Sequence, residues 1–441
     1  MHELVDNVRA VLPSVRRDLE ELVRIPSVWA DPARRGEVQR SAQAVANLLS
    51  QAGFDDVCIV SEGGAPAVIA RHPAPPGAPT VLLYAHHDVQ PEGDYGCWRS
   101  PPFEPTERDG RLYGRGSADD KAGIATHLAA FRAHQGRPPV GVTVFVEGEE
   151  ESGSPTLHRL LAVHRDALAA EVIVIADADN WSVDIPALTV SLRGVVDCVV
   201  EVATLEHGLH SGLWGGVVPD ALGALVRLLA SLHDDDGNVA VAGLHESTAP
   251  ALDYPAERVR TESGLLDGVT PIGSGSATQR LWAKPAITVI GIDAPSIATA
   301  SNTLTARARA KISMRVAPGG DAEAQLHALR VHLAQHTPWG AQVSVTLGEI
   351  GQPYAIDASG PVYDAARAAL RQAWGVAPVE SGIGGTIPFI AEFAAAFPQA
   401  KILVTGVEDP DTQAHGSNES LHLGVLERAA IAEALLLAYL A

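Results

Sequence analysis

Cysteine is scarce in this chain: Cys58, Cys97 and Cys198 are the only three among 441 residues. An odd count without a Cys-x-x-Cys pair supports neither a disulfide framework nor a thiolate zinc site, and it suits a reducing compartment. Basic residues are also in deficit, with 32 Lys and Arg against 53 Asp and Glu, a formal charge of −21. Such an excess repels phosphate backbones and anionic lipids, and no Lys/Arg run makes a local exception, so no nucleic-acid partner and no membrane partner is expected. Long apolar runs are missing as well. No segment approaches 18 consecutive apolar residues, and the stretch from Met1 to Asp6 has neither a basic n-region nor an apolar h-region. We therefore expect a soluble, cytoplasmic protein. No internal repeat or low-complexity tract is visible.

What is present is an ordinary globular composition, 46% apolar and 19% charged, long enough for two or three domains or one large α/β domain with an insertion. Short apolar runs at Thr80 to Tyr84, Val140 to Val146, Val172 to Ile175 and Lys401 to Val404 read as buried strands. Helical spacing marks the amino-terminal segment, with Pro13 predicting a break or kink, and also Val38 to Leu49, Ala122 to Ala133, Pro361 to Trp374, Ile387 to Ala396 and Leu421 to Leu440. Ser154 followed by Pro155 predicts an N-cap and a helix over Pro155 to Leu168. The alternation predicts an α/β fold with a mostly parallel sheet flanked by helices. Between Leu188 and Ile350 the order becomes strand, helix, strand, strand, helix, strand, which predicts an inserted α+β domain. The expected division is 1–187 and 351–441 for one domain and 188–350 for the insertion.

Polar residues capable of chemistry follow the predicted strands. His86 and Asp88 end the first and share one face of an extended chain, so the Asp carboxylate can brace the imidazole. A structural His–Asp pair would read the same way. Asp119 precedes a helix, Glu150 and Glu151 follow the second strand, Asp177 the third, and His415 lies in the loop after the fourth. Beyond the carboxyl ends of parallel strands such positions can converge in one crevice. Two imidazoles and several carboxylates suit a pair of borderline divalent ions, one carboxylate bridging them, and neighbouring glutamates can divide ligation from proton transfer. A run such as Glu149-Glu150-Glu151 is in isolation more often a solvated face.

Six phrases together resemble the di-zinc metallopeptidase family of aminoacylases, carnosinase-type dipeptidases, desuccinylases and glutamate carboxypeptidase. They are Ala85-His86-His87-Asp88-Val89-Gln90-Pro91, Arg115-Gly116 through Asp119 to Lys121-Ala122-Gly123, Glu147-Gly148 through Glu150-Glu151-Ser152-Gly153-Ser154, His210-Ser211-Gly212, Gly384-Gly385-Thr386-Ile387-Pro388 and His415-Gly416-Ser417-Asn418-Glu419. The resemblance implies two Zn²⁺ ions per subunit, with Mn²⁺ or Co²⁺ as alternatives. His86, Asp119 and Asp177 would hold one ion, and Asp119, Glu151 and His415 the other. Glu150 would be the general base and Asp88 the brace of His86. It also implies a cis peptide at Asp119-Asp120, and a lid in which His210 stabilises the oxyanion, in dimeric members across the subunit boundary.

Asn302, Arg315, Gly384, Gly385 and Thr386 would contact a small peptide substrate, and a homodimer through the insertion is expected. The phrases lie closest to the dipeptidase branch, with N-acyl-amino-acid deacylation and a non-catalytic metal-binding scaffold as alternatives. Two departures stand out: Ala85 where Gly is common, and Gly382 where carnosinase-like members often carry Arg.

Overall fold

A computed structural model describes residues 1–385 and 388–441. Thr386 and Ile387, the first of them a substrate-contact expectation, lie outside the described residues. The chain divides into two compact units, one formed by Met1–Val190, Ile356–Ser381 and Pro388–Ala441, the other by Ser191–Ala355 and Gly382–Ile387.

In the first unit a sheet runs in the order Asp56–Val60, Ala67–His72, Gly141–Glu147, Thr80–His86, Val172–Ile175, Lys401–Val404, Ala187–Leu192. Gly141–Glu147, Thr80–His86, Val172–Ile175 and Lys401–Val404 are parallel neighbours. Gly141–Glu147 and Val172–Ile175 are buried along their whole length, as parallel strands covered on both faces must be. Helices His2–Val23, Arg35–Ala52, Lys121–Ala133, Pro361–Trp374 and Leu423–Tyr439 supply much of the apolar cover, and Leu19, Leu49, Leu128, Leu370 and Leu435 meet sheet residues such as Val81, Val144 and Val174 in one core.

Two helix expectations need correction. His2–Val23 runs through Pro13 as one helix. Pro13 sits on the exposed side, where the carbonyl it leaves without an amide partner can meet water. The predicted Pro155 to Leu168 helix is two pieces, Leu157–Val163 and Arg165–Leu168, and Ser154 is not its cap. Ser154 has φ +50°, and the Thr156 N–H is taken instead by the Glu149 carboxylate at 2.8 Å. Asp56–Val60 at the edge and Ala67–His72 beside it extend the sheet past Gly141–Glu147 in antiparallel pairing.

The second unit holds a four-stranded antiparallel sheet ordered Ala286–Asp293, Arg307–Val316, Gly194–Ala203, Gln342–Gly351. Strict alternation along Arg307–Val316 sends Ala308, Ala310, Ile312, Met314 and Val316 inward against Leu225 and Leu228 of helix Ala221–Ala230 and Leu329 and Leu333 of helix Ala322–Gln335. Arg307, Arg309, Lys311 and Arg315 occupy the opposite face.

Candidate metal centre

The four parallel strands of the first unit end at His86, Glu147, Ile175 and Val404, and the chemistry lies just beyond these ends. His86 closes its strand, Glu150 and Glu151 stand in a short 3₁₀ turn after Glu147, and Asp177 follows Ile175 by two residues. Asp119 arrives from the turn before helix Lys121–Ala133, and His415 from the loop after Val404.

Donor atoms of His86, Glu150 and Asp177 lie within 4.8 Å of one another, as do those of His86, Asp119 and Glu151. Asp119 directs one oxygen to each imidazole: His86 Nε2 is 3.1 Å from Oδ1, and His415 Nε2 is 3.0 Å from Oδ2. His415 Nε2 also lies 3.2 Å from Glu151 Oε2. His86, Asp119, Glu150, Glu151, Asp177 and His415 are thus joined into one cluster, with His86 common to both groups and Asp119 between the two imidazoles. The Asp119–Asp120 peptide is cis.

Electrostatics show what this donor set lacks. Burial, opposed in part by His86, pushes the Asp177 carboxyl up to about 7, and burial pushes Glu150 well above the usual carboxylate range. Burial would raise Asp119 too, but its hydrogen bonds to His415 and His86 outweigh that and hold it low. Hydrogen bonds to Asp119 and Glu151 lift His415 to about 10. Two carboxylates crowd the His415 ring, where a cation would neutralise them. Oxygen and imidazole donors without thiolate, crowded and short of positive charge, fit divalent ions.

The surrounding bonds aim the donors. His86 Nδ1 lies 3.0 Å from the Asp88 carbonyl, while the Asp88 carboxylate is 3.5 Å from that nitrogen. Carbonyl and carboxylate of Asp88 both face Nδ1, which leaves Nε2 facing Asp119. The Asp88 carboxylate accepts the N–H groups of Glu150 and Glu151 at 3.2 and 3.1 Å. Gln90, quoted in a motif but given no role, donates its N–H and its Nε2 to the two Glu151 oxygens at 3.1 and 2.8 Å. Arg115 and Glu419, also within the motifs, pair with each other across some three hundred residues, beyond the reach of local pattern.

The remaining expectations fall in the second unit. Leu209–His210 pairs with Thr303–Leu304, and the Asn302 carbonyl accepts the Ser211 N–H at 2.9 Å, so His210 and Asn302 are neighbours. His210 Nδ1 accepts the Gly212 N–H at 3.1 Å, so its ring proton is on Nε2 and that nitrogen is a donor. Arg315 stands opposite Val195 on the face away from the helices. The Gly384 carbonyl accepts from Arg193 Nε at 2.9 Å, and a Cβ at Gly384 would lie 2.9 Å from Arg193 Nη2. A Cβ at Gly382 would come within 2.8 Å of Trp282, so the indole fills the space an arginine would need there.

The sequence profile described as peptidase family M20/M25/M40 matches residues 82–439. The chain is 35% identical over 425 residues to a cysteinylglycine-S-conjugate dipeptidase of Corynebacterium striatum, covering 95% of this chain and 93% of the relative. It is 31% identical to a β-Ala-His dipeptidase of Rattus norvegicus, over 81% and 76%. Among solved structures it resembles the di-peptidase Dug1p of Saccharomyces cerevisiae, with a TM-score of 0.82 at 24% identity over 100% of this chain and 98% of that one. Human carnosine dipeptidase 1 gives 0.78 at 25% identity, over 100% and 99%.

Proposed function

The chain belongs to peptidase family M20/M25/M40, and from that premise we propose that it is a metal-dependent dipeptidase whose first unit holds two Zn²⁺ ions. The observation that carries the reading is the double reach of Asp119, one oxygen toward His86 and the other toward His415, with Glu150 and Asp177 in the adjoining group. One ion would take His86, Asp119 and Asp177, the other Asp119, Glu151 and His415. When bound, such ions supply Lewis-acid polarisation of the scissile carbonyl and lower the pKa of a water to near neutrality.

The chain's own residues do the rest. Glu150 takes the proton of the attacking water and delivers it to the leaving amine, and the Asp88 carboxylate fixes the Glu150 main chain for that transfer. His210 donates from Nε2 to the oxyanion of the tetrahedral intermediate. Arg315 holds the substrate carboxylate, Asn302 its backbone, and Gly384 and Gly385 let the chain approach closely, with Thr386 completing that contact. Dipeptides are preferred to N-acyl amino acids as substrates because both curated relatives above carry dipeptidase names.

We place the protein in the cytoplasm, on the grounds that Cys58, Cys97 and Cys198 are free thiols, and no described helix is long and apolar enough to cross a membrane. A homodimer through the second unit would cover its exposed Leu213, Trp214, Val217, Ile290 and Ile297.

Turnover of a dipeptide panel against N-acetyl amino acids, on protein of measured metal content, tests the reading. Dipeptide hydrolysis that disappears with the metal supports it. Inactivity of the fully loaded protein on both panels would leave a metal-binding scaffold.

A further inference from the structure

Two of the proposed ligands come from loops rather than strand ends. Asp119 and His415 are separated by nearly three hundred residues, yet their side chains meet at 3.0 Å. His415 receives little packing, since 59% of its side chain is exposed and its backbone occupies the left-handed region at φ +61°. Something else must fix these two backbones.

A buried ion pair reaches both. Arg115 Nη1 donates to Glu419 Oε2 at 2.7 Å, with Arg115 1% exposed and Glu419 fully buried. Glu419 spends its remaining capacity on the Asp119 side: Oε2 accepts the Gly116 N–H at 3.0 Å, and Oε1 accepts those of Ala118 and Asp119 at 3.0 and 3.2 Å. Arg115 spends its own on the His415 side, Nη2 donating to the carbonyls of His415 and Gly416 at 3.1 and 3.0 Å. A buried ion pair is in general no better for stability than apolar residues of equal volume. What apolar residues cannot do is hold three N–H groups of one loop and two carbonyls of another at a set separation.

We propose that Arg115 and Glu419 are positioning residues that set the distance between Asp119 and His415, and so the affinity of the cation site these two share with Glu151. The inference rests on the two-metal reading above. Its effect is unequal: the site of Asp119, Glu151 and His415 takes a donor from each of the two loops the pair holds, whereas the site of His86, Asp119 and Asp177 shares only Asp119 with them and draws its other two donors from strands and their immediate continuations.

The test compares the full-length wild-type chain with Glu419→Gln and Arg115→Lys. Glutamine keeps the shape but turns one accepting oxygen into a donor. Lysine keeps the charge toward Glu419 but has a single ammonium where the guanidinium serves several partners. Zn²⁺ retained after dialysis against graded chelator, and the visible spectrum on titration with Co²⁺, report the two sites separately. The expected result is one equivalent weakened about 10- to 100-fold and the other, which shares only Asp119 with the held loops, weakened by less, with folding verified by thermal melts; Arg115→Lys, which keeps the ion pair, serves where Glu419→Gln does not fold. Retention of both equivalents, or equal weakening of both, overturns the proposal. A wild-type chain that binds no cation breaks the underlying metal reading and removes this inference with it, an outcome seen before any variant is made.

Discussion

In the first unit His86 and Asp119 are buried, the Glu151 side chain is 5% exposed, and each is tied by hydrogen bonds to partners distant in sequence. In the second unit His210 and Asn302 are exposed and lie at the end of a two-residue ladder, where the His210 ring accepts only the N–H of Gly212 two residues on. The contrast follows from what each must hold. A resident cation needs donors fixed before it arrives, because reorganisation would cost affinity. A substrate that enters and leaves with every turnover needs donors open to solvent between cycles.

Substitutions should separate the two regions, and the largest effect is expected in the first. Glu150→Gln should lower kcat by about 10²- to 10⁴-fold while metal content stays at the wild-type value; an unchanged kcat would remove Glu150 from proton transfer. In the second unit, His210→Ala should cost about 10²- to 10³-fold in kcat without loss of metal, and any loss of metal would contradict the division of labour. Arg315→Ala should raise KM by about 10- to 100-fold, the worth of a hydrogen bond to a charged group, and the penalty should vanish on a dipeptide amide. A penalty equal on acid and amide would place Arg315 elsewhere.

Metal removal gives the mildest readout. Ions at a hundred times their Kd stabilise by about 2.7 kcal/mol, so chelation should lower the melting midpoint by several degrees. Hydrogen exchange should localise the loss to amides around His86, Asp119 and Glu151. Equal loss of protection along Gly194–Ala203 would show that the two units do not respond independently.

Much of the first unit could be read from the residues alone, because short, mostly apolar runs of four to seven residues leave little choice but a covered parallel strand. The edge strand Asp56–Val60 gave no such signal: it is half exposed, and it is a strand through pairing with Ala67–His72. Ser154 and Pro155 carried a genuine helix-start pattern, but Glu149 reached Thr156 first and shifted the helix onward. In the candidate site the residues that the structure brings together were legible because their order along the chain is distinctive. Their supports were not. That His86 is steadied by a carbonyl of Asp88, and Asp119 and His415 by one Arg–Glu pair, depends on backbone positions that no spacing rule encodes.

The place of Lys401–Val404 has a consequence for biosynthesis. This late segment is an interior strand, lying between Val172–Ile175 and Ala187–Leu192. A growing polypeptide can therefore make the first strands of the sheet early but must add more than two hundred residues after Ile175 before the gap is filled and His415 arrives. Products that stop short of this strand would expose that gap and lack His415, which makes them natural clients for chaperones and proteases.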